Sequence, residues 1–239
     1  MQKERPILFN GEMVRAILEG RKTQTRRGIT KLTPSKPQFK GLGYEKILHF
    51  NRSDTYGYDW TFCASSGWND LSHAELMGMC PYGRVGDRLW VRETFAYELD
   101  EPDGKETGNF LYRASTPDIH GKWTSSIFMP RAASRILLEI TNIRVQPLQD
   151  ITDSDAIDEG MLTLSPEWRK KAFPEYHKTL ETVKNRNFGL AIQGGQLEKP
   201  PLGQSPREVY LRYWGDINGK HSHLKNPWVW VIEFKRVQP

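Results

Sequence analysis

The run Pro227-Trp228-Val229-Trp230-Val231-Ile232-Glu233-Phe234-Lys235-Arg236-Val237 decides the reading of this chain. Trp228, Trp230, Ile232 and Phe234 alternate with Val229, Val231, Glu233 and Lys235. Alternation with period two in β-branched and aromatic residues is the pattern of a strand packed on at least one face. Working back from it, Arg135 to Val145 holds a second strand, with Ile136, Leu138, Ile140 and Ile143 among β-formers. Gly86-Asp87 marks a turn before a third, over residues 87 to 97, and Phe110 to Arg113 is a shorter candidate.

Helices are few and short. Residues 10 to 20 read as one, with Asn10 as N-cap, an apolar stripe of Met13, Val14, Ile17 and Leu18, and Gly20 at the C-terminal left-handed position. Thr152-Asp153-Ser154-Asp155 resembles a capping box opening a helix that ends at Gly160. Ser205-Pro206-Arg207-Glu208 opens another, with Pro in the first turn. Separated strands with few helices predict an α+β fold, and periodicity fits a mixed sheet and a small barrel equally. Residues 30–82 and 162–204 lack a sustained period and read as loop insertions in one domain spanning 1–239.

The chain has 239 residues, a net charge of +5 and only two cysteines, Cys63 and Cys80. A disulfide framework is therefore not expected. No apolar run approaches the roughly 20 residues that cross a bilayer, so a cytoplasmic protein without membrane contact is the expectation. A mild positive excess is compatible with nucleic acid.

The densest chemistry lies in Gly20-Arg21-Lys22-Thr23-Gln24-Thr25-Arg26-Arg27. Four cations and two hydroxyls in eight residues suit phosphate, because Arg offers a bidentate fork and Lys a point charge. A solvated basic surface after a helix C-terminus explains the same residues. An acidic run, Asp150, Asp153, Asp155, Asp158 and Glu159, could hold Mg²⁺ or Mn²⁺ for phosphodiester cleavage, although capping explains most of it. A carboxylate at the end of a helix, as at Glu159, is disfavoured by the dipole and implies a specific partner. Cys63, His73, Cys80 and His49 lack a paired Cys-x-x-Cys element, and packed thiols are the plainer reading. No metal or other cofactor is expected. Trp60 and Trp68, in the irregular insertion, are candidates for a base-stacking lip, and Arg113, Arg131 and Arg135 could extend a phosphate track.

The Gly-Arg-Lys-Thr-Gln-Thr-Arg motif after a short N-terminal helix resembles the signature of ASCH domains. Gly86-Asp87-Arg88-Leu89-Trp90-Val91-Arg92-Glu93, the stretch Leu148 to Met161, and Trp230-Val231-Ile232-Glu233-Phe234 match further pieces in the expected order. Cys80-Pro81-Tyr82-Gly83 and Asn226-Pro227-Trp228-Val229-Trp230 are similar to the long ASCH proteins of phages and prophages. The resemblance implies a PUA-like mixed β-barrel flanked by short helices, with RNA or a modified nucleoside as partner. By resemblance to bacterial 4-acetylcytidine amidohydrolases, Lys22, Thr25 and Glu159 are the expected catalytic residues, in an acyl-removing hydrolase. Arg21, Thr23, Arg26, Arg92, Glu93, Trp60 and Trp68 are the expected binding residues. In that scheme Lys22 takes the Thr25 proton, Thr25 attacks the amide carbonyl, and Glu159 assists the leaving amine. The alternatives are a non-catalytic module binding RNA or modified nucleic acid, and a metal-dependent ribonuclease.

Overall fold

The computed structural model describes residues 2–29, 49–52, 60–64, 67–100, 105–116, 122–161 and 205–238. The fold is mixed α and β, built on an open five-stranded sheet. Its strands are β1 (Glu4–Leu8), β2 (Gln24–Gly28), β6 (Arg88–Arg92), β9 (Leu137–Pro147) and β10 (Trp228–Val237). They lie side by side in the order β1-β6-β9-β10-β2. β10 pairs antiparallel with β9 on one side and β2 on the other, β9 pairs antiparallel with β6, and β6 runs parallel to β1.

The alternation of β10 sorts its side chains between two cores. Trp230, Ile232 and Phe234 join Ile7, Leu89, Val91, Leu138 and Ile140 in the larger one. Val229 and Val231 turn to the opposite face, against Leu148, Ile151, Ala156, Val209 and Trp214. Burying each such side chain contributes about 1.5–3 kcal/mol, so this strand is held from both faces. The register shifts between Glu233 and Phe234, a β-bulge that keeps both halves in phase with their cores.

β1 and β2 are the edges of the sheet. At one end they meet through a side chain, where Arg27 Nη2 donates to the Leu8 carbonyl at 2.6 Å. The helix α1 (Gly11–Leu18) covers the larger core with Val14 and Ile17. Asn10 caps it by accepting from the Met13 N–H, as its sequence predicts. Gly20 takes φ +75°, and the chain then turns so that the Arg21 and Lys22 N–H groups both donate to the Ala16 carbonyl. On the other face lie α3 (Asp153–Asp158), with its capping box of Thr152 and Asp155, and α4 (Pro206–Asn218), capped by Ser205.

The segment expected to be loop-like over 30–82 carries regular structure where it is described. β3 (His49–Arg52), β4 (Trp60–Ala64) and β5 (Gly67–Leu71) form an antiparallel meander, followed by α2 (His73–Gly78). Its strands are only four or five residues long, too short to show a sustained alternation, yet Trp60, Leu71, Leu76, Met79 and Cys80 enter the larger core. A hairpin of β7 (Phe95–Leu99) and β8 (Glu106–Tyr112) completes the described strands, with Phe95, Met129 and Ala133 packed together at its base. The second expected insertion, 162–204, lies outside the described residues. Among the described residues no helix is long and apolar enough to cross a membrane.

Candidate functional site

The basic motif and the end of α3 meet in a buried charge cluster. Lys22 and Glu159 form an isolated antiparallel bridge, and the Thr23 N–H donates to the Asp158 carbonyl at 2.8 Å. These backbone contacts fix the two segments side by side. The Lys22 ammonium donates to Glu159 Oε2 at 2.8 Å, to the Glu159 carbonyl at 2.9 Å and to the Gln24 carbonyl at 2.8 Å. Both side chains are essentially inaccessible to water, at 0% and 1% exposure.

Arg26 binds the other oxygen of the same carboxylate, with Nη1 3.1 Å from Glu159 Oε1. Its Nη2 lies 3.1 Å from Asp155 Oδ2, a charge contact without hydrogen-bond alignment. The guanidinium also rests over the Tyr210 ring, 5.8 Å from its centroid. Gln24 donates to the Asp155 carbonyl and carboxylate at 2.6 and 3.1 Å. Arg144 joins Asp155 at 2.7 Å and pairs with Glu233. Gln24 and Arg26 share one face of β2 because strand side chains two apart point the same way. That face is turned to α3.

Burial dominates the electrostatics. Removal from water pushes the Lys22 pKa down, the Glu159 carboxylate opposes that, and the nearby Arg27 and Arg26 charges add to the lowering. Burial alone would raise Asp155, but hydrogen bonds from Thr152 and Gln24 and the Arg26 charge outweigh it and bring its pKa to about 2. Burial and the adjacent Glu159 charge push the Tyr210 phenol well up. Burial likewise takes Tyr213 to about 12, against a hydrogen bond from Asn10.

Two cavities open against this cluster. One of about 270 Å³ lies between α1 and the turn after α3, lined by Met13, Arg21, Glu159, Gly160 and Tyr213. A smaller one of about 40 Å³ is lined by Thr25, Arg26, Arg27, Glu159, Tyr210 and Tyr213. Glu159 and Tyr213 wall both. Lys22 lines neither and lies behind Glu159.

Of the expected catalytic residues, Lys22 and Glu159 are in direct contact, and Thr25 shares the smaller cavity with Glu159. The three ammonium protons of Lys22 go to Gln24 and Glu159, and none to Thr25. Arg21 lines the larger cavity, with Nη1 donating to the Gly160 carbonyl at 2.9 Å. Arg26 lines the smaller one. Thr23 is exposed, and its contribution is through its backbone.

The other expected binding residues lie elsewhere. Glu93 is buried and holds Arg135 through both oxygens, at 2.8 and 3.0 Å, while Arg135 stacks 4.0 Å from the Tyr112 ring centroid. Arg92 lies over Trp90. Trp60 is 5% exposed and packs edge-on against Trp228 in the larger core, which corrects its reading as part of a binding lip. A flat ring on a strand next to a core finds more contact inward than at the surface. The side chain of Trp68 lies outside the described residues, as do those of His49 and Cys63; Cys80 is a buried free thiol.

Sequence reasoning missed Gln24, Arg144, Tyr210 and Tyr213 as members of the site. Gln24 stood inside the motif, two residues from Lys22 and from Arg26, and its place on the same strand face was a usable signal. Tyr210 and Tyr213 come from α4, whose position over β2 no local pattern reveals. Of the acidic run, Asp155 and Glu159 are engaged by Gln24, Arg144, Arg26 and Lys22. Among the described residues no three His, Cys, Asp or Glu side chains gather as a metal site. No protein-family profile, curated protein or solved structure matches the chain.

Proposed function

We propose that this chain is an ASCH-type hydrolase that removes an acyl group from a modified nucleoside at the two cavities that Glu159 walls, with Thr25 in the smaller one. The observation that carries the reading is the Glu159 carboxylate, held by buried Lys22 behind it and by Arg26 beside it, at a cavity that Thr25 also lines. Buried ion pairs are poor sources of stability, so one set against a cavity points to function. The Arg27 contact that joins the edge strands supports a PUA-like closure of the sheet.

In this scheme the Thr25 hydroxyl attacks the amide carbonyl and passes its proton to neutral Lys22. The lowered Lys22 pKa favours that neutral form. The C–N bond then breaks, the amine leaves with a proton, and water hydrolyses the acyl-threonine ester. Glu159 orients Lys22 and steadies the proton it receives. RNA containing the modified nucleoside is the larger substrate.

A second reading has its own observation. With all three ammonium protons donated to Gln24 and Glu159, Lys22 has no lone pair for Thr25 until it gives up one of those protons. Held that way, the larger cavity, which shares Glu159 and Tyr213 with the smaller one, is a non-catalytic binding site for the same nucleoside. Incubation with 4-acetylcytidine in the presence of EDTA, followed by chromatography, separates the two. The hydrolase releases cytidine and acetate, and Thr25→Ala abolishes this while its melting temperature holds. An intact nucleoside after incubation with folded wild-type protein overturns the hydrolase and leaves the binding site.

A further inference from the structure

Asn10 and Tyr213 stand 203 residues apart in the chain, yet Asn10 Nδ2 donates to the Tyr213 hydroxyl oxygen at 2.6 Å. The direction of that bond follows from the other half of the same amide. Asn10 caps α1, and its Oδ1 accepts from the Met13 N–H at 2.9 Å. A backbone N–H can only donate, so the amide oxygen must face it and the NH₂ must face the phenol. The phenol oxygen is thereby the acceptor, and its own proton is turned away from Asn10.

That proton meets no acceptor among the described residues. Both oxygens of the Glu159 carboxylate are taken by Lys22 and Arg26, and the Glu12 carboxylate stands 3.9 Å from Arg15. Tyr213 is half-buried and walls both cavities, and its ring packs against the core beneath α4. Burial, with the charges of Glu12 and Glu159, holds its pKa at about 12 against the Asn10 bond, so the phenol keeps its proton at neutral pH. The guanidinium groups of the larger cavity are already engaged. Arg21 holds Glu19 and the Gly160 carbonyl, and Arg15 donates to the Ala114 carbonyl.

We propose that the Tyr213 hydroxyl donates to the carbonyl oxygen of the acyl group, with Asn10 as its positioning residue, a role that rests on reading the Glu159 cavities as the ligand site. As the Thr25 oxygen bonds to the carbonyl carbon, the C=O π pair moves onto the oxygen. A fixed O–H aimed at that oxygen stabilises the developing negative charge more than it stabilises the uncharged carbonyl. The pair returns to form C=O when the C–N bond breaks, and Tyr213 keeps its proton throughout. Where the cavity only binds, the same hydroxyl holds the intact carbonyl.

The test uses turnover of 4-acetylcytidine, calorimetric binding of the same nucleoside and thermal unfolding. Tyr213→Phe removes the hydroxyl and keeps the ring. It lowers kcat about 10²–10³-fold and changes KM far less. Asn10→Asp keeps the cap but gives the phenol an acceptor, which draws its proton away from the ligand. It also lowers kcat, and the double variant is no slower than Tyr213→Phe alone. A tie that merely fastened α1 to α4 would lower the melting temperature and leave kcat unchanged. Should the wild type bind the nucleoside without turnover, the hydrolase reading fails, and the role of Tyr213 stands on a loss of affinity of about fivefold in Tyr213→Phe. Wild-type kcat in Tyr213→Phe overturns the proposal, as does wild-type affinity where there is no turnover. So does full activity in Asn10→Asp. A wild type that neither binds nor hydrolyses the nucleoside overturns the role and the reading together.

Discussion

Burying an ammonium and a carboxylate together costs several kcal/mol of lost hydration, and their attraction returns it only when every polar atom finds a partner. Lys22 meets that condition with three acceptors, and Glu159 with a cation on each oxygen. Removing one charge is therefore worse than removing both. Glu159→Gln is expected to destabilise the protein by about 3–5 kcal/mol in denaturant unfolding, because Lys22 and Arg26 lose their shared counter-charge. Lys22→Met costs less, since Arg26 still holds the carboxylate. The double variant costs clearly less than the sum of the singles, and strict additivity would show that the pair is not coupled.

Asp155 gives the cluster a signature in acid. Its carboxyl has a folded pKa of about 2, below the ordinary 3.8, so the unfolded chain binds its proton first as pH falls. The stability from this group is complete above the ordinary value and is lost as pH drops through about 2. Asp155→Asn should flatten that part of the acid-unfolding curve. An unchanged slope between the ordinary 3.8 and about 2 would show that Gln24 and Arg26 do not hold the carboxylate in solution.

At the scale of the element, the turn after α3 is what brings Glu159 to the motif. Gly160 has φ +93°, and a Cβ there would sit 2.9 Å from the Ala16 Cβ and 3.2 Å from the Lys22 Cβ. Gly20 has φ +75°, and a Cβ there would meet nothing within 4 Å. Substituting Ala for Gly20 costs about 1 kcal/mol from the backbone alone. Gly160→Ala costs more, about 1–3 kcal/mol from the backbone plus the overlap with α1, and separates Glu159 from Lys22. Thermal unfolding of the two variants checks the order, and equal losses would mean that α1 yields freely.

The elements themselves were mostly legible. Asn10, Thr152 and Ser205 announce their helices through side-chain oxygens placed to accept from the first turn, and all three do so. β10 was legible because both of its faces are apolar. The meander β3–β5 was not, because only Trp60 and Leu71 of its described side chains reach the core. The charge at Glu159 predicted a partner on dipole grounds, and the partners are Lys22 and Arg26.

For the whole molecule, the limit of the sequence was the distance between parts that meet. Tyr210 and Tyr213 reach the cavity from α4, and Arg144 reaches Asp155 from β9. Each is an ordinary residue on its own element, with no spacing that marks it. Arg92 and Arg26, both read as binding residues, separate for the opposite reason. They sit on different strands, and Arg92 lies on the outer face of β6, away from the second core.

The same topology has a consequence for synthesis on the ribosome. β2 has β10 as its ladder partner, and most of the chain is translated between them. Until β10 emerges, Lys22 and Arg26 belong to a hydrated, strongly basic segment with no sheet to join. Their dehydration is thus a late event, and a nascent chain displays to its surroundings the very charges that the finished protein hides.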